Sequence, residues 1–501
     1  MNNAAENLSY KQLQHKRLHF LGIGGRGMSA MAQIARHFGA QVTGCDKGES
    51  YTTRALQEEG IPVQTGHSVD HLRDVDAFIY VPAVTTYDPD TAEFVEAQRL
   101  GIPCMTWQEL LGKWALGKCA LSVSGVHGKG TTTTLLSYML LDAGYDPSSF
   151  VGAVVPRFHS RYRLGNSPYF VNEADEYNYN FWHVHPRIAI VTSIEYEHPE
   201  FFADEEAMLY AFEGLIRRMD MQGNWPFPPT AVINASNAGC RRLIERLQDW
   251  PGKLLTYGVE SSTGESVTAN YVAYDLREDG VTHFRARAQG LDGEAFPTER
   301  TFRYMMPGQF NVENALAALA AAHAAGVPFE SALKTMEQFE GVKRRFEVRH
   351  TGDLEIDGRT LSDVVLIDDY AHHPTAIALT LEAARKRFPG RRVVLAYQPD
   401  MFTRTKLLFD DFVTAFQGAD VVILTDINPG REQDRGLVSS QDLAAAIARG
   451  PHFTGREDKV MVGGSLDNVE RLVRENLQSG DVAIVMGSGT IYTVMKQLLT
   501  S

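Results

Sequence analysis

The chain has few cysteines and no long apolar segment. Its four cysteines follow neither the spacing of a metal site nor that of a disulfide framework, and they fit a reduced cytoplasm best. No segment approaches the apolar length of a membrane-spanning helix, and Met1–Lys16 is polar, without the apolar centre of a signal peptide. We therefore expect a cytoplasmic protein with no membrane partner. The cysteines are Cys45, Cys104, Cys119 and Cys240.

An excess of positive charge is missing as well. The 48 Lys and Arg residues stand against 62 Asp and Glu residues, which gives a formal net charge of −14. This balance argues against a nucleic-acid partner, although it is compatible with a local basic pocket for phosphates. The hydrophobic fraction of 44% indicates no disorder. A chain of 501 residues is expected to form roughly three domains.

Short apolar segments alternate with helical patterns at both ends of the chain. His19–Gly22 predicts a strand and Met28–Phe38 a helix, and Val364–Asp368 followed by Thr375–Arg387 repeats this order. Such alternation is typical of a parallel, doubly wound α/β sheet. Changes in the pattern indicate domain boundaries near residues 117 and 342. We therefore predict three domains, at 17–116, 117–341 and 342–501.

Three further patterns predict individual elements. Glu278-Asp279-Gly280 separates two strand-like segments and predicts a hairpin turn. Asn311–Ala325 is rich in alanine and precedes Gly326, which predicts a helix capped by Asn311. Lys406–Phe416 predicts another helix.

The first of two glycine-rich loops follows the first predicted strand. Gly22-x-Gly24-x-x-Gly27 has the spacing of a dinucleotide-binding loop, and Asp46 ends the next strand. Glycines there let a diphosphate approach the start of a helix, and a carboxylate can bind a ribose or a base. By itself the pattern also fits NAD binding, or close packing of strand and helix without a ligand.

The second loop, Ser124–Thr131, follows another predicted strand and has a different chemistry. It contains the short form Gly-x-x-Gly-Lys, in which backbone N–H groups surround phosphate oxygens and Lys129 neutralises the transferring phosphoryl group. Thr131–Thr134 offer hydroxyl groups to Mg²⁺ or to the helix start. The alternative is a capped helix with a lysine unrelated to phosphate. A chain with both loops is expected to bind one nucleotide for recognition, without converting it, and to consume another.

Carboxylates and arginines follow the second loop. Asn172–Glu176 and Ser193–His198 each end a predicted strand, and carboxylates with an imidazole opposite a phosphate loop fit a Mg²⁺ site. Each segment is also compatible with an exposed acidic turn. Lys343–Arg345 fits either a clamp for an anionic substrate or a charged surface segment.

The motifs, in this order, closely resemble those of the Mur ligase family, the ATP-dependent amide-bond ligases of peptidoglycan precursor synthesis. The resemblance covers nearly the whole chain. His19–Ser29, Val342–Phe346, Asp368–Thr375 and Gln398–Thr405 are most similar to the branch that joins L-alanine to UDP-N-acetylmuramate. Glu173–Tyr177 is more similar to the branch that recycles murein tripeptide onto the same donor.

The resemblance implies a three-domain α/β fold: an N-terminal Rossmann-like domain for a UDP-sugar, a central P-loop-type ATPase domain and a C-terminal Rossmann-like domain for the amine acceptor. In such enzymes ATP phosphorylates the donor carboxylate. The amino group of an amino acid or short peptide then attacks the acyl phosphate, which gives an amide, ADP and phosphate. ATP and Mg²⁺ are the implied cofactors, and no oligomeric state is implied.

The resemblance also implies roles for individual residues. Lys129, His198 and Arg345 would be catalytic. The residues at the UDP-sugar donor would be Gly24, Gly25, Gly27, Met28 and Asp46, with His372 and Arg404 facing the acceptor. The residues at ATP would be Gly125, Gly128, Lys129, Gly130, Thr131, Thr132, Asn311, Arg345 and Asp369. The Mg²⁺ ligands would be Thr131, Glu173 and His198. Because we expect Lys129 in an exposed loop, we expect Lys129→Ala to remove turnover and to spare the fold.

The chain departs from the family's usual motifs near the reaction centre. Val126 and Gly130 replace both hydroxyl residues of the usual loop Gly-Thr-x-Gly-Lys-Thr. Phe310 replaces a histidine, and Asp400-Met401 replaces the pair His-Arg. The alternatives to an L-alanine ligase are therefore a murein tripeptide recycling ligase and a catalytically weakened nucleotide-binding relative. An NAD-dependent dehydrogenase would explain only the first hundred residues or so.

Overall fold

The computed structural model describes residues 13–260, 267–288, 300–430 and 432–500. Residues 1–12 of the polar segment Met1–Lys16 therefore lie outside the described residues. Three β-sheets of five, ten and six strands follow one another along the chain. We call the residues around them the N-terminal, central and C-terminal units. Within the described ranges, no helix has both the length and the apolar character needed to cross a membrane.

The N-terminal unit alternates strands and helices. Its elements are β1 Arg17–Leu21, α1 Arg26–His37, β2 Gln41–Asp46, α2 Tyr51–Glu58, β3 Val63–Thr65, β4 Ala77–Tyr80, α3 Ala83–Tyr87, α4 Ala92–Arg99, β5 Cys104–Thr106 and α5 Trp107–Ala115. The strands are parallel, in the order β3-β2-β1-β4-β5. Leu18 and Phe20 pack with α1 on one face of the sheet, and Phe78 packs with α4 on the other. Burial on both faces explains the continuous apolar runs in the sequence.

The central unit contains the longest sheet. Its elements are β6 Cys119–Ser124, α6 Lys129–Asp142, β7 Ser148–Val155, β8 Ser160–Arg163, β9 Tyr169–Glu173, β10 Ile188–Val191, α7 Glu205–Arg217, β11 Thr230–Asn234, α8 Ala238–Arg246, β12 Lys253–Val259, β13 Tyr271–Glu278, β14 Thr282–Ala288, β15 Thr301–Tyr304, α9 Gln309–Ala324 and α10 Phe329–Glu337. The order is β15-β14-β13-β12-β11-β10-β6-β9-β7-β8, antiparallel at both ends and parallel between. Helix α9 packs against α6, and its alanines allow a close approach because they are small.

The C-terminal unit repeats the alternation. Its elements are β16 Glu347–Ile356, β17 Arg359–Asp369, α11 Pro374–Arg387, β18 Val393–Tyr397, α12 Phe402–Leu407, α13 Phe409–Ala415, β19 Val421–Thr425, α14 Ser440–Arg449, β20 Val460–Gly464, α15 Leu466–Asn476, β21 Val482–Met486 and α16 Tyr492–Leu499. The order is β16-β17-β21-β18-β19-β20, and β16 pairs antiparallel with β17. The other neighbours are parallel.

The predicted α/β architecture is confirmed. The hairpin is confirmed too, since β13 and β14 pair antiparallel on either side of the turn. The domain limits at 17–116, 117–341 and 342–501 stay a prediction.

Two predicted helix starts are wrong. Helix α9 begins at Gln309, so its cap is Gly308, with a φ of 89°, and the side chain of Asn311 instead donates to the carbonyl of Pro307 before the helix. The helix expected over Lys406–Phe416 is split. The chain becomes helical directly after Met401, which has a φ of 65°, and breaks at Leu408 between α12 and α13.

Candidate active site

The first glycine-rich loop connects β1 with α1. Gly22 N–H donates to the carbonyl of Cys45 at 2.9 Å, and Gly24 N–H donates to Asp46 Oδ2 at 2.8 Å. Gly25 caps α1 and has no side chain that would accept a bond from the first helical N–H groups. These groups are therefore available to an anion.

Three predicted donor-binding residues also hold this loop in place. A Cβ at Gly27 would lie 2.5 Å from the ring of Trp107, so the glycine lets α1 lie against α5. The side chain of Met28 is buried in the core, which leaves its backbone N–H at the helix start. Asp46 accepts a second bond, from Lys47 N–H at 2.8 Å, and so braces the loop. Binding of the donor by these residues stays a prediction.

The second loop connects β6 with α6. The N–H groups of Val126 and His127 donate to the carbonyl and the hydroxyl of Ser193, at 3.0 and 2.9 Å. Gly125 and Gly128 have φ angles of 133° and 81°, and a Cβ at either would lie 2.1 Å from a neighbouring side chain. The loop is thus fixed in one conformation, and α6 begins directly behind it.

The four threonines of α6 differ in their bonds. Thr133 and Thr134 donate to carbonyls one turn earlier, both at 2.7 Å. Thr132 donates to Asn314 Oδ1 at 3.3 Å. Among the residues that the structure describes, the hydroxyl of Thr131 has no hydrogen-bond partner. A hydroxyl available for a ligand is what the predicted role of Thr131 at Mg²⁺ requires.

Lys129 does not lie in an exposed loop, and that expectation is wrong. It is the first residue of α6, and its side chain is 16% exposed because Glu176 covers it. Its Nζ donates to the two oxygens of Glu176 at 2.9 and 2.8 Å, and to the carbonyl of Gly125 at 2.6 Å. Burial lowers the pKa of the ammonium, but Glu176 outweighs this and raises the pKa above its ordinary value. Lys129 is therefore positively charged at the phosphate loop.

Two carboxylates and an imidazole gather beside Lys129. Asp175, Glu176 and His198 each place one ligand atom within 4.8 Å of the others. Burial lowers the pKa of His198, but a hydrogen bond to Glu200 at 3.1 Å and the neighbouring carboxylates raise it above its ordinary value. Carboxylate oxygens are the ligands that Mg²⁺ prefers. The group therefore fits a divalent cation, which would take the place of one imidazole proton.

Glu173, a predicted metal ligand, lies nearer to α6. Its Oε2 accepts from Gly152 N–H at 2.7 Å and would lie 3.4 Å from a Cβ at Gly130. The structure thus brings Glu173 to the start of α6 and not into the group that contains His198. Its role as a ligand, like that of Thr131, stays a prediction.

A buried ion pair joins the central and C-terminal units beside this group. Arg404 Nε donates to Glu197 Oε1 at 2.7 Å, and Arg404 Nη1 donates to Asp400 Oδ2 at 3.0 Å. His372, the other predicted acceptor residue, has its Nδ1 3.1 Å from the carbonyl of Tyr370. Burial and the charge of Arg404 lower the pKa of His372 to about 3, so its ring is neutral. Contact of either residue with an acceptor stays a prediction.

Arginines of all three units gather around Tyr370. The guanidinium carbons of Arg26 and Arg345 each lie 4.7 Å from the centre of its ring, and Arg26 Nη1 donates to its hydroxyl at 2.7 Å. Arg161 belongs to the same group, since burial and the charge of Arg26 lower its pKa. Its buried Nε has no hydrogen-bond partner among the described residues. An anionic ligand would neutralise these charges.

Two residues predicted to line ATP bond to the backbone. Asp369 accepts from the N–H of Phe346 at 2.6 Å and so fixes the turn that carries Arg345. Asn311 Nδ2 donates to the carbonyl of Pro307 at 2.7 Å. Their contact with ATP stays a prediction.

A second group ties the phosphate loop to the C-terminal unit. His127 Nε2 lies 3.4 Å from Glu195 Oε2, and Thr375 donates to the same oxygen at 2.9 Å. The ring of His373 is 5.1 Å from that of His127. Burial and the nearby His127 lower the pKa of His373 to about 4, so this ring is neutral near pH 7.

Sequence reasoning missed several residues of this site. Glu176 lies in the acidic segment Asn172–Glu176, for which the family resemblance implies Glu173 as the metal ligand. His127 lies in the second loop itself and His373 lies beside His372, so the sequence motifs could have indicated both residues. No sequence motif indicates Arg161, because its neighbours in the site come from other units.

A fixed phosphate loop with a buried lysine, an acidic group for a cation and cations from all three units are what an enzyme that transfers a phosphoryl group requires. The chain belongs to the Mur ligase family. The family's catalytic domain matches residues 17–118, its middle domain residues 123–322 and its glutamate ligase domain residues 344–489.

Relatives are similar over nearly the whole chain. The UDP-N-acetylmuramate–L-alanine ligase of Caldanaerobacter subterraneus subsp. tengcongensis is 34% identical over 97% of both chains. That of an Anaeromyxobacter species is 35% identical over 96% of this chain and 97% of the other. The solved UDP-N-acetylmuramate–alanine ligase of Thermotoga maritima has a TM-score of 0.75 at 25% identity, over 97% of this chain and 99% of that one. A murein peptide ligase of Psychrobacter arcticus, 24% identical with a TM-score of 0.67 over 97% and 98%, shares the fold. The predicted family and ligase activity are confirmed.

Proposed function

We propose that the chain uses ATP to join L-alanine to the carboxylate of UDP-N-acetylmuramate. The observation that carries the reaction is Lys129, fixed by Glu176 at the phosphate loop, and the ring of His127 in this loop lies 5.1 Å from that of His373 in the C-terminal unit. The relatives named above support L-alanine as the acceptor. We assign the reaction to the cytoplasm, and the three domains to 17–116, 117–341 and 342–501.

The donor fits two features that attract anions. We assign its diphosphate to the start of α1, where Gly25 leaves N–H groups available. We assign its remaining negative charge to the arginines around Tyr370, where Arg161 Nε is buried without a partner among the described residues.

In the first step, a carboxylate oxygen of the donor attacks the γ-phosphorus of ATP, and ADP leaves. Lys129 would neutralise charge on the phosphoryl group, with Arg345 approaching from the C-terminal unit. Mg²⁺, when bound, supplies further neutralisation of the phosphate charge. We propose Glu176 and His198 as its ligands, with Asp175, Glu173 or Thr131 completing the set.

In the second step, the neutral amine of L-alanine attacks the acyl carbon. The C–N bond forms as the acyl C–O bond to phosphate breaks, and the proton that the nitrogen loses is taken up by the departing phosphate. We propose that Arg404 and His372 lie on the acceptor side. Because an acyl phosphate hydrolyses in water, residues supplied by separate units make closure a condition of turnover.

The test is formation of ADP and of an amide by the purified chain with UDP-N-acetylmuramate, ATP and Mg²⁺. L-alanine, glycine and murein tripeptide are offered separately, and the product is identified by mass. We expect L-alanine to give the fastest ADP release and one amide product. A preference for the tripeptide would instead assign the chain to recycling. Binding of ATP and donor without any amide product would support the weakened relative.

A further inference from the structure

A cluster of metal-binding side chains lies inside the N-terminal unit, away from the phosphate loop. Its members are His19 of β1, Cys45 of β2, His71 of the turn before β4, and Glu93 of α4. Glu93 is 0% exposed. Fully buried carboxylates are rare unless other groups compensate their charge, so the partners of Glu93 need an explanation.

The ligand atoms of these four residues converge on one point. They all lie within 4.8 Å of one another. Cys45 Sγ is 3.0 Å from Glu93 Oε2, His19 Nε2 is 3.7 Å from Glu93 Oε1, and His71 Nδ1 contacts the same Oε1. Bonds of 2.0–2.3 Å to a tetrahedral Zn²⁺ put ligand atoms about 3.3–3.8 Å apart. The cluster therefore needs only small side-chain movements to reach that geometry.

Two observations distinguish this cluster from a closed network of hydrogen bonds. His19 Nδ1 bonds to Thr43, whereas His19 Nε2 is buried toward Glu93 and has no hydrogen-bond partner among the described residues. The side chains of His67 and His71 are 21% and 14% exposed, so a cation has access from that side. His67 Nδ1 lies 3.2 Å from Cys45 Sγ, which adds a fifth donor at the rim.

We propose that His19, Cys45, His71 and Glu93 form a site for a Zn²⁺-type cation. Two imidazoles, one thiolate and one carboxylate match the ligand preference of Zn²⁺, and such a mixed set disfavours Mg²⁺. On binding, the thiol of Cys45 loses its proton to solvent and a metal–sulfur bond forms, without oxidation or reduction. The sequence shows no metal spacing because four separate segments supply the ligands.

The site would also stabilise the first glycine-rich loop. The carbonyl of Cys45 accepts the N–H groups of Gly22 and Ile23, at 2.9 and 3.1 Å. Asp46, the next residue, accepts the N–H of Gly24. A cation on Cys45 would therefore fix the strand end to which this loop is bonded.

The test is a Co²⁺ and Zn²⁺ titration of the full-length chain after treatment with a chelator. We expect a sulfur-to-cobalt absorption band in the near ultraviolet that saturates at one thiolate-bound Co²⁺ per chain, its displacement by Zn²⁺, and a melting temperature that Zn²⁺ raises. The other two candidate metal-binding groups among the described residues contain no thiol, so the band reports this site alone. Cys45→Ser should abolish the band. His71→Asn, which keeps the thiol, should weaken Co²⁺ binding at least about tenfold.

Cys240→Ser is the matched control, since Cys240 is equally buried but lies in the central unit. It should keep the band and the stoichiometry. The proposal is wrong if the native chain shows no band, or if the band survives in Cys45→Ser. Should Cys45→Ser fail to fold, the band of the native chain must persist in Cys104→Ser, Cys119→Ser and Cys240→Ser, because these remove every other thiol. Loss of the band in any of them would also overturn the proposal.

Discussion

Arg404 Nε donates to Glu197 Oε1 at 2.7 Å across the boundary between the C-terminal and central units, and the two side chains are 5% and 4% exposed. Burial alone would raise the pKa of Glu197, but Arg404 holds it well below its usual range. The pair is therefore charged in the folded chain. The pair contributes fully to the free energy of unfolding above the pKa of Glu197 in the unfolded chain, about 4.3. That contribution is lost as pH falls through the lower pKa of Glu197 in the folded chain.

Removal of one partner should be strongly destabilising. Arg404→Met leaves Glu197 buried without its cation, and such a loss costs about 3–5 kcal/mol. We expect a lower unfolding midpoint in calorimetry, and partial recovery in the double variant with Glu197→Gln. Arg471→Met, which removes an exposed pair with Glu475 in the same unit, is the control and should change stability by about 1 kcal/mol or less. Equal effects of the two arginine variants would contradict the prediction.

Lys129→Ala should affect both chemistry and stability. Without Lys129 the phosphoryl charge is not neutralised, so we expect turnover to fall roughly 10²-fold or more. The variant also leaves the buried Glu176 unpaired and should melt at a lower temperature. Adding Glu176→Gln should restore the melting temperature but not ADP formation. If Lys129→Ala melts like the native chain, the ion pair with Glu176 is not formed in solution.

Arg161 offers a test of donor binding. Its buried Nε has no hydrogen-bond partner among the described residues, so Arg161→Met should not destabilise the chain. A lost charge-assisted bond is worth about 1.5–3 kcal/mol, so KM for UDP-N-acetylmuramate should rise about 10- to 100-fold. KM for L-alanine should change little. Arg163→Met, two residues along the same strand, removes bonds to Pro147 and Asp146 and serves as the control. It should lower stability and leave KM for the donor unchanged.

The sequence predicted the outer units better than the contacts between units. Buried parallel strands such as β18 and β21 are continuous apolar runs, so the local pattern suffices to find them. Helix α7 was missed although Asp204 caps it and two glutamates follow in its first turn. Strand β8 was missed because Ser160–Arg163 is polar and half-buried at the sheet edge.

In the candidate site, too, the sequence predicted the contiguous segments but not the contacts between distant residues. The two loops were found because each is contiguous in sequence and glycine sets its conformation. The choice between Glu173 and Glu176 depends on the turn after β9, where Asn178 and Tyr179 both have φ angles of 53°. Spacing alone does not encode that turn. The convergence of Arg26, Arg161 and Arg345 depends on how three units pack, which no local pattern describes.

Thr131 should supply the hydroxyl that Gly130 lacks. Thr131→Val keeps the side-chain shape and removes the hydroxyl, so we expect turnover with Mg²⁺ and ATP to fall at least about tenfold, because the lost contact is made to a charged ligand. Thr131→Ser should retain turnover. A Cβ at Gly130 would be 3.4 Å from Glu173 Oε2, an ordinary contact, so Gly130→Thr should fold. Combined with Thr131→Val, it should recover activity and Mg²⁺ dependence. Full activity of Thr131→Val alone would exclude this role.

Asp368 at the end of β17 should make folding stability depend on pH. Its side chain is 2% exposed and lies 3.3 Å from Arg344 Nε. Burial raises the pKa of Asp368 from 3.8 to about 6, although Arg344 opposes the shift. Between roughly pH 4 and 6 the folded chain holds a proton that the unfolded chain has released, so this residue's contribution falls as pH rises. Across this pH range the contribution of Asp368 to the free energy of unfolding changes by about 3 kcal/mol, since each unit of pKa is worth about 1.4 kcal/mol.

Asp368→Asn removes the ionisable group, so the difference in unfolding free energy between the native chain and this variant should change across that window. Denaturant unfolding at several pH values from 4 to 7 measures it, as the difference cancels the titration of all other groups. Asp70→Asn, at a carboxylate that is 69% exposed, is the control for replacing an aspartate by asparagine at an exposed position. Parallel stability curves for the native chain and Asp368→Asn would show that Asp368 titrates near its ordinary pKa in the folded chain, and that Arg344 compensates its burial completely.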